Sequence, residues 1–120
     1  MSDQLDELVR AARERGDWSS VLRALESLGL DLELFIVYYD LRRRGKRVRL
    51  GVRPRTLVYE EPSGKLFEVL VLAAGARVSL KEIIEWSRRA SADSHEPVIA
   101  VVDENGGVTY YESRVVTQLR

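Results

Sequence analysis

Cysteine is absent from this sequence, and histidine, methionine and proline are nearly so, at one, one and three residues of 120. Without cysteine the chain forms neither a disulfide nor a thiolate metal site, and cysteine nucleophile chemistry is excluded. A lone histidine, His95, rules against a histidine-cluster centre, so no metal and no cofactor is expected. No elbow motif flanks His95 to suggest a serine triad. Phosphate-cradling glycine loops are missing, because Gly106-Gly107 lies in a hairpin rather than ahead of a helix. The acids are scattered and none is followed two residues later by lysine, which argues against a metal-dependent nuclease. No apolar run approaches the roughly 18 residues that span a bilayer, and the acidic start is not a secretory signal; a cytoplasmic chain with no membrane contact is expected.

What is present is a charged, globular composition: 45% hydrophobic and 32% charged residues, with nineteen basic and nineteen acidic side chains. The length suits one hydrophobic core. The cations are unevenly placed. Arg42, Arg43, Arg44, Lys46, Arg47, Arg49, Arg53 and Arg55 follow one another with no acid between them. Such a block can track a phosphate backbone. It reads equally as a solvated helix end running into an edge strand protected by charge.

Three helices are expected first. Asp3, Asp6 and Glu7 follow a capping Ser2, Leu5, Leu8, Val9 and Ala12 give an apolar stripe, and Gly16 ends the helix. A second helix from about Ser19 turns Trp18, Val21, Leu22, Leu25 and Leu28 inward and stops at Gly29. A third, over 31–44, places Leu32, Phe35, Ile36 and Tyr39 at helical spacing. The period then becomes two: Val48, Leu50 and Val52 alternate with Arg47, Arg49 and Arg53. Leu57 to Glu60 is a second strand and Lys65 to Ala74 the central one. Glu68 inside it must either surface or find a buried partner. A capping box at Ser79 and Glu82 opens a helix to about Ala90, with Leu80, Ile83, Ile84 and Ala90 inward.

The segment from Pro97 to Val116 is a β-hairpin around Asp103-Glu104-Asn105-Gly106-Gly107. Its first arm is apolar without alternation, as for a strand covered on both faces. Its second arm alternates and comes late in the chain, which suits a sheet edge open to a partner strand. The acidic tip could dock into a basic pocket, or be an ordinary solvated turn. The element order gives an α/β fold, a mixed sheet sandwiched with helices. A metal-free ribonuclease would need a base for a ribose 2′-OH, an acid for the leaving oxygen and a cation. Tyr59, Lys65 and His95 are the right types; each is also ordinary for a strand, a turn and a loop.

The stretches FIVYYDLRRRGKRVRLG, LVYEEPSGKLFEVLV and IAVVDENGGVTYYESRV together resemble the C-terminal domain of archaeal tRNA-splicing endonucleases. The resemblance covers about Leu34 to Val116 and implies a restriction-endonuclease-like fold over 31–120, with 1–30 as a short N-terminal helical appendage, a reduced N-terminal domain. It implies metal-free cleavage of pre-tRNA at bulge-helix-bulge sites, leaving a 2′,3′-cyclic phosphate. That chemistry uses a tyrosine, a histidine and a lysine, whose positions here hold Tyr59, Lys65 and His95. Two of the three depart from the pattern, as in a structural subunit that joins a separate catalytic subunit in a two-plus-two heterotetramer. On the same resemblance Asp103 and Glu104 form a subunit-docking loop, with Gly107 where another acid is common. Val108, Tyr110, Tyr111 and Glu112 belong to a last strand, through Val116, that pairs between subunits. A base-clamping arginine matches Arg88, and Tyr110 stands at the second clamp position. Arg47, Arg49 and Arg53, within the stretch from Arg42 to Arg55, could touch RNA or equally face another subunit, and Arg88 is a further candidate RNA contact. The alternatives are an autonomous metal-free RNA endonuclease with permuted Tyr59, Lys65 and His95, and a non-catalytic RNA-binding module.

Overall fold

The structure, a computed structural model, describes residues 2–112. The chain runs α1 (Ser2–Arg15), α2 (Trp18–Leu28), α3 (Leu32–Arg43), β1 (Arg47–Leu50), β2 (Thr56–Glu60), β3 (Leu66–Ala73), α4 (Leu80–Ala92), β4 (His95–Val102) and β5 (Val108–Tyr111). The strands lie in chain order in one mixed sheet. Pairs β1–β2, β2–β3 and β4–β5 are antiparallel and β3–β4 is parallel. A parallel pair needs a crossover, and α4 supplies it. The architecture is the expected α/β sandwich, with β3, the most apolar stretch, in the middle.

Alternation along each strand sorts the sheet into two faces. Val48, Leu57, Val69, Val71, Val98, Ala100 and Val102 point to α1, α2 and α3 and share one core with Leu5, Val9, Val21, Leu25, Phe35 and Tyr38. The opposite face carries a smaller cluster, where Trp86 and Ile83 of α4 cover Leu70 and Leu72 of β3 and Ile99 and Val101 of β4. Capping is local and legible. Asp17 Oδ1 accepts a hydrogen bond from Ser20 N at the start of α2, Ser79 Oγ accepts from Glu82 N at the start of α4, and Gly29 ends α2 with φ of 68°.

Several expectations are corrected. Helix α1 begins at Ser2 itself. Trp18, Leu22, Leu32 and Leu80 are exposed rather than inward. The buried stripe of α3 is Leu34, Phe35, Val37, Tyr38 and Leu41, turned from the expected one. Helix α3 lies between the sheet and the first two helices, so two of its faces are apolar and spacing alone cannot select one. Strand β1 stops at Leu50, and Val52 is 89% exposed in the loop after it. Gly51 N donates to Thr56 O at 2.8 Å and closes the hairpin there. The part of the expected last strand beyond Glu112 lies outside the described residues.

Candidate functional site

Tyr59 is the last but one residue of β2 and faces the α3 side, its ring stacked on Phe67 of β3 at 4.9 Å and 7°. Lys46 Nζ sits 5.6 Å from the Tyr59 ring, held by Glu61 at 2.9 and 3.0 Å. Burial, then the nearby Glu61 and Glu112 carboxylates, push the Tyr59 hydroxyl up to about 12. At neutral pH the phenol keeps its proton, the opposite of what a general base needs.

Lys65 stands just ahead of β3 on the same side, with Nζ 5.5 Å from the Phe67 ring and 3.6 Å from Glu96 Oε1. His95 does not join them. It opens β4 opposite Leu66, on the α4 face, and its Nδ1 lies 2.9 Å from Glu68 Oε1. The sheet therefore separates Tyr59 and Lys65 from His95. The residue that β4 brings to the face of Tyr59 is Glu96, a position missed by residue-type reasoning, though the alternation His95, Glu96, Pro97, Val98 contains the signal.

Glu68 finds its partners on the α4 face. It is 1% exposed, and its oxygens take Trp86 Nε1 at 2.8 Å, Arg53 Nη1 at 2.8 Å and His95 Nδ1. Arg53 Nη2 also reaches Asp93 Oδ2 at 2.6 Å. Ligand-type atoms of Glu68, Asp93 and His95 all fall within 4.8 Å of one another. The guanidinium bonded to both carboxylates already supplies the positive charge, so this is an ion-pair clasp. Arg53, a candidate RNA contact by sequence, thus turns inward.

The proposed clamp positions are also kept apart. Arg88 is exposed on α4, whereas Tyr110 lies on the α3 side, where its hydroxyl donates to Asp40 Oδ2 at 2.7 Å. Burial alone would raise the Asp40 carboxyl. Hydrogen bonds from Arg43, Tyr110 and Arg44 outweigh that and hold it below the usual carboxylate range.

At the hairpin tip Asp103 Oδ1 accepts from the backbone N–H groups of Asn105 and Gly107, both at 2.8 Å, while Glu104 is exposed. Strand β5 is last in the sheet order, with Val108 and Tyr110 half-buried and Tyr111 exposed; Glu112 follows the strand. Among the described residues nothing pairs with the outer edge of β5.

Residues 32–110 match the family model of the tRNA intron endonuclease catalytic C-terminal domain. The chain belongs to the tRNA intron endonuclease family. Its role is in tRNA splicing, and the five-stranded mixed sheet with its helices is the fold of that domain. The match begins just past α2 and ends within β5. Among curated proteins none matches the chain significantly. Among the described residues of this endonuclease-family chain no helix is long and apolar enough to cross a membrane.

Proposed function

We propose that this chain is the structural, non-catalytic subunit of a heterotetrameric tRNA-splicing endonuclease of the archaeal type. It assembles two-plus-two with a separate catalytic subunit that cuts pre-tRNA at bulge-helix-bulge sites. The observation that carries this reading is the division of Tyr59 and His95 between opposite faces of the sheet, with Tyr59 holding its proton and His95 bound to buried Glu68. General acid and base groups must lie within about 3 Å of the atoms they serve, and these two cannot converge on one ribose. In this reading the edge of β5, with Val108, Tyr110, Tyr111 and Glu112, pairs with a neighbouring subunit. The turn at Asp103 and Glu104 docks into a basic groove of the partner. Residues 1–30 are what remains of the family's N-terminal domain, ahead of the endonuclease domain over 31–120.

The test is cleavage of a bulge-helix-bulge RNA in EDTA by the purified chain, alone and with the catalytic subunit. Cleavage confined to the mixture, and unchanged there by Tyr59→Phe, is the expected result. Cleavage by the chain alone, abolished by Tyr59→Phe or His95→Ala, would overturn the proposal in favour of a permuted active site.

A further inference from the structure

The cations from Arg42 to Arg55 form one block in sequence, but the fold divides them. Arg42 Nε lies 3.3 Å from Asp6, and Arg43 and Arg44 lie 2.7 and 2.9 Å from Asp40. Lys46 is held by Glu61, and Arg53 by Glu68 and Asp93. Arg55 is 3.9 Å from Asp31, at the limit of an ion pair. Arg47 and Arg49 alone in this block have no carboxylate within 4.0 Å among the described residues. Arg47 is in register with Glu60 across the strand pair, yet beyond that distance.

Both free arginines are exposed and alternate on one face of the outermost strand, about 6.7 Å apart along it. They project to the side covered by α4, but α4 packs over β3 and β4 and leaves β1 open. Between them and β3 runs a shallow groove of 370 Å³, with Val58 and Leu66 among its lining residues. The loop after β1 is braced from below. Thr56 Oγ1 donates to Arg53 O at 2.6 Å, Val71 N donates to Arg55 O at 2.9 Å, and the Arg53 side chain is clasped by Glu68. A Cβ at Gly51 would collide with Thr56 Oγ1, so the hairpin closes only around glycine.

We infer that Arg47 and Arg49 form a two-arginine contact for the phosphate backbone of RNA, on the sheet face opposite Tyr59, and that Arg53 is a positioning residue which fixes the adjoining loop without touching RNA. Unpaired guanidinium groups fit phosphate oxygens in a planar fork and lose no internal ion pair on binding. Cations already bonded to Asp6, Asp40, Glu61 and Glu68 would each give one up. The inference rests on the reading of the chain as a subunit that meets pre-tRNA.

The experiment is the salt dependence of binding a bulge-helix-bulge RNA hairpin to the full chain, followed by fluorescence anisotropy. Each phosphate contact contributes about 0.7–0.9 to the slope of log K against log salt. The Arg47→Ala/Arg49→Ala double variant is expected to bind more weakly with a slope shallower by about 1.4–1.8. Arg53→Met/Glu68→Gln, which removes the Arg53–Glu68 ion pair and leaves only the half-exposed Asp93 charged, is expected to keep the wild-type slope. A slope unchanged in the first variant, a loss of about one in the second, or no binding by wild type even at low salt each overturns the inference. Should the second variant fail to fold, NMR of the arginine side-chain N–H groups in wild type gives the same answer. Arg47 and Arg49 should shift on adding RNA and Arg53 should not. If the Arg47→Ala/Arg49→Ala pair instead blocks assembly with the catalytic subunit and spares RNA binding, the face is a protein interface. An unchanged slope with partner-dependent cleavage intact defeats this inference alone, while cleavage by the chain alone defeats the subunit reading.

Discussion

Two buried acids show how differently a carboxylate can be satisfied. Asp40 is held by Arg43 and Arg44, three and four residues on along α3, and those pairs can be read directly from the sequence. Glu68 is held by Arg53, Trp86 and His95, fifteen, eighteen and twenty-seven residues away, and only the need for some partner was legible. Removing Glu68 strips Arg53 of its buried partner, leaving it only the half-exposed Asp93, and leaves the buried Trp86 Nε1–H without an acceptor. Glu68→Ala is therefore expected to lower the unfolding free energy by about 3–5 kcal/mol. Glu68→Gln, which keeps an acceptor for Trp86, is expected to cost less. Urea unfolding followed by far-UV circular dichroism measures both; a loss near zero for Glu68→Ala would mean that the clasp is open in solution.

At the scale of elements, the β4–β5 turn separates charge from geometry. Asp103 Oδ1 holds two backbone N–H groups, so this residue shapes the tip, while Glu104 presents its carboxylate outward. Asn supplies the same acceptor oxygen without the charge. On the proposal that this turn docks on a catalytic subunit, Asp103→Asn should leave docking largely intact, Asp103→Ala should weaken it by loosening the turn, and Glu104→Gln should weaken it through charge. Size-exclusion chromatography of the mixtures reads this out, and equal damage from Asp103→Asn and Asp103→Ala would assign Asp103 a charge role instead. Gly107 has its own constraint: an added Cβ would lie 2.6 Å from Asp103 Oδ2, so an acid there would crowd the oxygen that it also repels. Helix α3 was placed correctly by its boundaries and wrongly by its face. Its apolar residues surround it because two layers pack on it, and periodicity reports one buried stripe, not two.

For the whole molecule, the first two helices and the sheet share one core, joined through α3. Leu5, Val9, Val21 and Leu25 pack in the same cluster as Val48, Leu57 and Val98, and Tyr38 donates to Asp6 across it. Losing four such side chains removes about 6–12 kcal/mol of burial at about 1.5–3 kcal/mol each. Whole-domain stability is usually about 5–15 kcal/mol. A chain starting at residue 31 is thus expected to lose its cooperative thermal transition by circular dichroism; a sharp transition in that truncation would contradict the shared core. By itself the sequence determined the element order, the mixed α/β sheet, the capped helices, the glycine turns and the family, because these follow from local propensity, patterning and motif. Only the tertiary structure decided which residues share a face. A strand projects successive side chains to opposite sides, so a register fixed by distant pairing puts His95 behind the sheet and Glu96 in front. Arg43 and Arg44 meet Asp40 at the end of α3, but long-range packing decides that Arg42, Lys46 and Arg53 meet carboxylates and that Arg47 and Arg49 stay free among the described residues.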